Sequence, residues 1–363
     1  MSLAITETIS VLQILVQNVP MGTNLALLQL MWTIINGSFL QSRGAIFPAL
    51  QANGMNASES RRLWQALRRG VWRIDEFIQH WRDYVASREE WVSHRYEGYK
   101  PVSLDWTAIW RFKLKGWTGK WYHGLAGRAL CGIGFAIVCD VGQIGEQRIP
   151  LIRKIIRPSQ KDPSPQQFKE DSLAWAYRHL AADEVLIVDA GAEISDMEAA
   201  KIPRYVVRQA RNCTARRNEL PSYKGKGCYP KWGATVRPLA RSYKGKEIAA
   251  TPPDKQTRFE VNGRVIEAHG WHNLILPCYK PGEAPSTFTI WVFLTLGMIP
   301  PSSWQPTCPT LRRPPSTTSI TTGGRWSRFR WLVKSCLVYT ANLSLCPRFV
   351  IGSGSWGFCW ATF

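Results

Sequence analysis

Val102-Ser103-Leu104-Asp105-Trp106-Thr107-Ala108-Ile109-Trp110 and Glu184-Val185-Leu186-Ile187-Val188-Asp189-Ala190-Gly191 are the two stretches that decide the fold. The first alternates apolar and polar positions and is rich in β-branched and aromatic residues, the pattern of a half-buried strand. The second is a continuous apolar run closed by an acid and a glycine, the pattern of a strand buried on both faces. Around them, residues 132–138 (GIGFAIV), 147–156 and 205–209 read as further strands. Residues 168–180 are amphipathic and helical, 194–200 read as a short helix, and 158–166 (PSQKDPSPQ) as a turn-rich linker. Strands followed by a helix and then by strands again predict a mixed α/β sheet.

Asp105 interrupts an apolar strand and Asp189 closes another. A carboxylate in such a place is costly unless it is paired or bound to a cation. Two converging strand-borne carboxylates can hold magnesium, which prefers oxygen ligands and keeps several waters. A pair of such ions, about 3.5–4 Å apart, activates a water or 3′-hydroxyl in phosphodiester transfer and stabilises the leaving oxygen. The plainer alternative stays open: Asp189 caps the helix that follows it, and Asp105 bonds a neighbouring turn.

Charge points to the class of partner. The 363 residues carry 46 Lys and Arg against 26 Asp and Glu, a formal charge of +20, with 45% apolar residues. Such an excess makes a polyanion the expected partner, with DNA, RNA and an anionic membrane surface all qualifying. No basic leader region opens the chain, and the apolar stretch 25–35 is shorter than the ~20 residues of a membrane span, so a buried helix is expected there. The nine Cys are odd in number and form no C-x-x-C pair, which argues against a disulfide framework or a zinc site and favours a reducing cytoplasm.

Residues 1–95 read as helical. Ser58 is the expected N-cap of a helix with Leu63, Trp64 and Leu67 on one face and Arg61, Arg62, Arg68 and Arg69 on the other, ended by Gly70. A second helix runs from about Asp75 through Phe77, Ile78, Trp81 and Val85. Two short Arg-rich helices joined by a tight turn form either a helix-turn-helix reader of DNA or a small bundle with a solvated basic face. Residues 211–292 are rich in Lys, Gly and Pro with short alternating stretches, a small β-rich insertion closed by a strand at 287–293. Trp121, Tyr122 and His123 read as packing residues, with stacking on a flipped base or contact with phosphate as the alternative, and His269 and His272 lack the partners a zinc site needs. The lysines in 224–227 and 244–246 lie in loops, either solvated or touching phosphate.

The blocks 102–110 (VSLDWTAIW), 127–138 (GRALCGIGFAIV), 185–212 (VLIVDAGAEISDMEAAKIPRYVVRQARN) and 229–246 (YPKWGATVRPLARSYKGK) resemble, in order and content, consecutive blocks of insertion-sequence transposases of the DDE type. The resemblance covers about residues 50–293. It implies an RNase-H-like mixed sheet with the first acid on its first strand and the second at the end of its fourth, then a short helix, a basic strand, a β-rich insertion and a helix carrying a catalytic Glu. On that basis Asp105 and Asp189 are catalytic and hold two Mg2+ ions, and Arg204, Arg208, Arg211, Arg216 and Arg217 line a DNA track. The implied partners are the element ends and target DNA, with a homodimer in a synaptic complex and no membrane. The implied organisation is a helical DNA-binding region over 1–95, the catalytic core over 96–210, the insertion over 211–293 and a tail over 294–363.

That tail departs from the family. From residue 294 to the end there is no Asp or Glu, while seven Lys and Arg and four of the nine Cys fall there. Reading each codon one nucleotide upstream changes the picture: 294–299 (LTLGMI) can encode FDPRYD, 300–310 can encode PPLVLATNVPD, and 324–329 (GRWSRF) can encode GPVEQV. These strings are charged and helix-like and resemble the family's block around its catalytic Glu. Single-codon residues such as Trp326 and Trp331 restrict the freedom of the exercise. A frameshift near residues 293–294 follows, with a disordered or poorly packed tail, a bare apolar sheet face, and an enzyme lacking its third acid. A non-catalytic DNA-binding protein that inhibits transposition is the alternative.

Overall fold

The computed structural model describes residues 3–42, 45–111, 119–159, 164–189, 191–261, 264–298 and 349–352. They fall into two compact units, one made of 1–92, 142–147 and 151–155, the other of 93–141, 148–150 and the chain from 156 onward. Both helices and sheets are present, so the chain is mixed α/β. No helix among the described residues is long and apolar enough to cross a membrane.

The first unit is built from α1 (Leu3–Val16), α2 (Thr23–Ile35), α3 (Ser38–Gln41), α4 (Ile46–Ala52), α5 (Ala57–Arg69) and α6 (Ile74–Ser87). Two small cores hold it. Val16, Val19 and Leu27 pack with Leu67, Trp72 and Phe77, while Ala26, Leu50 and Leu63 pack with Leu30, Ile46 and Leu67. The N-cap of α5 lies two positions before the expected one. Asn56, not Ser58, is the N-cap: its side chain accepts from the Ser58 and Glu59 amides, and Glu59 returns a bond to the Asn56 N–H at 2.8 Å. This capping box satisfies orphan donors at the helix start, which Ser58 inside the first turn cannot do. Gly70 ends α5 as expected. A Cβ there would lie 2.2 Å from the Ala66 carbonyl oxygen and 2.6 Å from the Thr23 methyl, so only glycine fits. Helix α2 is less buried than its composition suggests, because Ala26 and Leu27 face inward while Leu25, Ile34 and Ile35 are exposed.

Strand β1 (Trp91–Ser93) ends the helical segment, and β2 (Lys100–Trp110), β3 (Lys120–His123) and β4 (Arg128–Asp140) follow. The stretch expected as one strand over 147–156 is broken at Pro150, which lacks the N–H a continuous ladder needs. It forms β6 (Gln147–Arg148) and β7 (Leu151–Ile156), after the short β5 (Gly142–Ile144). Then come α7 (Pro165–His179), β8 (Glu184–Val188), α8 (Ile194–Ala199) and β9 (Tyr205–Val207). The insertion supplies β10 (Ala215–Arg217), β11 (Thr235–Val236), the hairpin β12 (Arg241–Tyr243) and β13 (Lys246–Ile248), β14 (Lys255–Val261), β15 (Arg264–Ile275) and β16 (Phe288–Met298), and β17 (Phe349–Gly352) is the last described strand.

In the second unit the strands run β3-β4-β2-β8-β9-β17-β16-β15-β10-β11 in one sheet, with β14 also paired to β15. Strands β2, β8 and β9 are mutually parallel, and β4 lies antiparallel to β2. Helix α7 is the crossover that parallel neighbours require. One face of these strands, carrying Val102, Leu104, Ala136, Val138, Leu186, Val188, Tyr205 and Val207, packs with Phe168, Leu173 and Ala176 of α7 and Ile194 and Met197 of α8 in a single core. The β-rich insertion is thus continuous with this sheet rather than a separate layer.

Strand β16 runs through residue 294 to Met298, Leu294 packs partly against the core, and the β15–β16 register slips by a bulge between Val265 and Ile266. Residues 349–352 pair on one side with β16 and on the other with β9, both antiparallel. The rest of the 299–363 tail lies outside the described residues. On the side of these strands away from α7 and α8, Ile137, Cys139, Ile187 and Val206 are also buried.

Leu104 is fully buried in β2, whereas Ile109 on the same strand is half-exposed. Leu104→Ala is therefore expected to cost about 2–5 kcal/mol of stability, through lost transfer energy and a residual cavity, and Ile109→Ala well under half of that. Urea denaturation of the two variants checks this; equal losses would contradict the placement of the core.

Candidate functional site

Parallel pairing of β2 with β8 sets Leu104 opposite Val188. The next residue on each segment is an aspartate, Asp105 within β2 and Asp189 just past the end of β8. Because successive side chains alternate between sheet faces, Asp105 and Asp189 leave the α7–α8 core behind and share the opposite face at neighbouring positions. Asp189 lies at the carboxyl end of β8, the end at which parallel sheets hold ligands.

The backbone around Asp189 is tightly tied. The Arg208 amide donates to the Val188 carbonyl at 3.2 Å, and the Ala192 amide donates to the Asp189 carbonyl at 3.3 Å. The loop then passes close to β2: a Cβ on Gly191 would lie 3.0 Å from the Trp106 ring. Helix α8 does not use Asp189 as its cap. Glu193 takes that position, and Asp196 accepts from its N–H at 2.8 Å. The capping alternative for Asp189 is therefore not what the chain adopts, and its side chain is turned to other partners.

One of those partners is Arg208, on the segment after β9. Its Nε lies 2.7 Å from Asp189 Oδ1. The other acid has less compensation. Burial and then the negative charge of Asp189 push the Asp105 carboxyl up to about 6, against a smaller lowering by a backbone bond from Trp106. A buried carboxyl held beside a second negative charge is a destabilising arrangement in isolation. A divalent cation between them would relieve it, and the oxygen-only donor set suits magnesium. Among the described residues no cluster of three or more His, Cys, Asp or Glu side chains assembles. Asp105 and Asp189 are thus the two protein groups that would hold a cation here, with water completing its coordination.

The basic residues read from the sequence separate into two kinds. Arg61, Arg62, Arg68 and Arg69 lie exposed along α5, and Arg211 is exposed after β9. The others are engaged within the protein. Arg204 donates to the carbonyls of Glu184 and Ala182 and stacks over the Tyr99 ring at 5.0 Å, tying β9 to the start of β8. Arg217 forms a two-pronged ion pair with Asp254, one bond measuring 2.6 Å, and donates to the His272 carbonyl at 3.0 Å. That pairing with Arg217 holds the Asp254 carboxyl below the usual range. Arg216 lies 4.9 Å over the Trp232 ring.

Trp121 and His123 pack as expected. The indole of Trp121 donates to the Gly132 carbonyl at 3.0 Å, and His123 Nδ1 accepts from the Ala126 amide at 3.1 Å, while Tyr122 is exposed. Two features were not legible beforehand. His269 has an acid beside it, with Nε2 2.8 Å from Glu267 Oε1, because residues two apart on β15 share a face. Glu198 on α8 is the second. Its Oε1 accepts from Ser286 at 3.2 Å, its Oε2 is buried without a partner, and burial raises its pKa. The buried pair Ile194 and Met197 is the only sequence signal that would have set Glu198 beside the inward stripe of that helix.

No protein-family model and no curated protein matches the chain.

The raised Asp105 gives a signed pH dependence. Its folded pKa, about 6, lies above the ordinary 3.8, so the folded state holds the proton more tightly and loses stability as pH rises from about 4 through 6. Asp105→Asn should therefore be more stable than the parent at pH 7, by on the order of 2 kcal/mol, with the difference vanishing below about pH 4. Asp189→Asn should lower the Asp105 midpoint seen by carbon-13 NMR, and added magnesium should lower it too. An Asp105 midpoint near 4 in the parent, unmoved by either change, would show that the two carboxyls do not meet.

Proposed function

We propose that the chain derives from an insertion-sequence transposase of the DDE type and that its acidic pair belongs to a DNA cleavage and strand-transfer site now short of one ligand. The observation that carries this is the parallel Leu104–Val188 pairing of β2 with β8, which brings Asp105 and Asp189, one residue further along each segment, to neighbouring positions. The strand order β4-β2-β8-β9, with β4 antiparallel to the other three, supports an RNase-H-like core. So does the succession of β8, the short helix α8 and the arginine-bearing segment of β9.

In this assignment the two aspartates hold magnesium, which when bound supplies charge stabilisation to a phosphodiester undergoing attack. The chain's own groups do the rest. Asp105, with its raised pKa, must lose its proton to become a ligand, so cation binding strengthens as pH rises through about 6. Arg208 neutralises part of the Asp189 charge and keeps the carboxylate oriented, and it competes with a cation for that oxygen. The exposed arginines of α5 and Arg211 supply cations for DNA phosphates. Such contacts weaken steeply with salt, because each neutralised phosphate releases counterions.

The absence of any Asp or Glu from 294 to 363 also favours a second reading, a non-catalytic DNA-binding protein that blocks transposition by occupying element ends. One experiment separates the two. The chain as it stands, and a version whose reading frame is restored from residue 294, are incubated with a duplex carrying the ends of the element and with magnesium or manganese. The chain as it stands should bind DNA without cutting it. The restored version should cut, and Asp105→Asn or Asp189→Asn in it should reduce cutting by at least three orders of magnitude, as expected for members of a cooperating set. A restored protein that never cuts, or that cuts equally well with either aspartate replaced, contradicts the proposal.

A further inference from the structure

We propose that the loop between β10 and β11 is a docking site for single-stranded DNA, reading bases by stacking and phosphates by charge. From residue 220 to 246 the chain contains no Asp or Glu, seven Lys and Arg, and four aromatic residues, Tyr223, Tyr229, Trp232 and Tyr243. Trp271, Tyr205 and Phe168 are fully buried in the core, and Tyr122 and Tyr177 are exposed elsewhere in the fold. In this segment three rings are open to water together: Tyr229 is 73% exposed, and Tyr223 and Trp232 are each 40% exposed.

The exposed rings are organised. Tyr223 and Tyr229 stack with centroids 4.1 Å apart and planes 21° from parallel. The Tyr223 hydroxyl donates to the Gly227 carbonyl at 3.0 Å, closing the loop on itself and fixing the ring. Gly225 and Gly227 adopt positive φ values of 75° and 87°, which let the chain turn back tightly enough for the two rings to meet. Lys224, Lys226 and Lys231 lie between or beside these tyrosines in the sequence and are exposed, and the Arg216 guanidinium lies 4.9 Å over the Trp232 ring.

A short loop that spends a hydrogen bond and two left-handed glycines to hold an aromatic pair in water is arranged for a flat ligand. A nucleobase continues such a stack, and every base has a suitable face, so no particular sequence is required. Lysines spaced around the stack match the phosphates of an extended strand. Duplex DNA keeps its bases stacked on each other and offers no free face, which is why the site fits an unpaired strand. The same chemistry occurs in RNA, and the test distinguishes the two.

This site lies outside the acidic pair, so it is tested independently, on the full chain in EDTA with no cleavage required. Fluorescence anisotropy with a labelled oligo-dT is the readout. The parent should bind with a log–log salt slope of several, and Tyr229→Ala should raise Kd about tenfold, within the range for loss of one base stack. Tyr229→Trp should retain binding. The triple change Lys224→Gln, Lys226→Gln, Lys231→Gln should lower the salt slope by about 2. Circular dichroism and thermal melting of each variant should match the parent, since all four side chains are exposed. No binding of oligo-dT, or binding that folded Tyr229→Ala leaves unchanged, overturns the site. Tighter binding of oligo-rU or of duplex DNA than of oligo-dT overturns the assignment to single-stranded DNA.

Discussion

Two like-charged carboxylates held side by side are the constraint around which the second unit is organised. The parallel register of β2 against β8 puts them there, and that register is itself enforced by burial. Val102, Leu104, Leu186 and Val188 must all face α7 and α8. A slip of one residue would turn this entire set to the other face. Hydrophobic burial on one side of the sheet therefore fixes an electrostatically unfavourable arrangement on the other. Arg208 offsets it in part, and the raised Asp105 carboxyl records what remains.

The strands and helices of this unit were largely legible because their periodicity is local. Alternation in 102–110 and the apolar run at 184–188 each give a strand without reference to anything else. What could not be read was pairing. Nothing in the sequence says that Arg217 meets Asp254, or that Arg204 ends in the carbonyls of Ala182 and Glu184. The arginines expected along a DNA track consequently include both exposed cations, such as Arg211, and ones engaged in internal bonds, such as Arg204 and Arg217. Asn56 displaced Ser58 as the cap for a similar reason, because the reciprocal bond with Glu59 is a property of the turn and not of either residue alone. The continuity of the insertion with the core sheet was equally hidden, since it depends on β17, contributed by residues 349–352 far along the chain.

The charge of the chain acquires a geography from these pairings. Part of the excess of Lys and Arg is internal: Arg204, Arg208 and Arg217 each serve the fold. Among the described residues, exposed cations outside these pairings include Arg61, Arg62, Arg68 and Arg69 on α5 and Lys224, Lys226 and Lys231 in the acid-free segment from 220 to 246. These two places differ in kind. Helix α5 offers charge on a regular surface, whereas the later segment pairs charge with exposed rings. That difference separates a surface able to follow a duplex backbone from one able to hold bases.

The central claim is that Asp105 and Asp189 jointly grip a divalent ion. Manganese soaked into crystals of the chain at neutral pH, located by its anomalous scattering, tests it directly. The account predicts a peak between the two carboxylates, coordinated by both, and its disappearance in the Asp105→Asn protein. Crystals in which saturating manganese leaves the carboxylates untouched, with Asp189 paired to Arg208 alone, would contradict it.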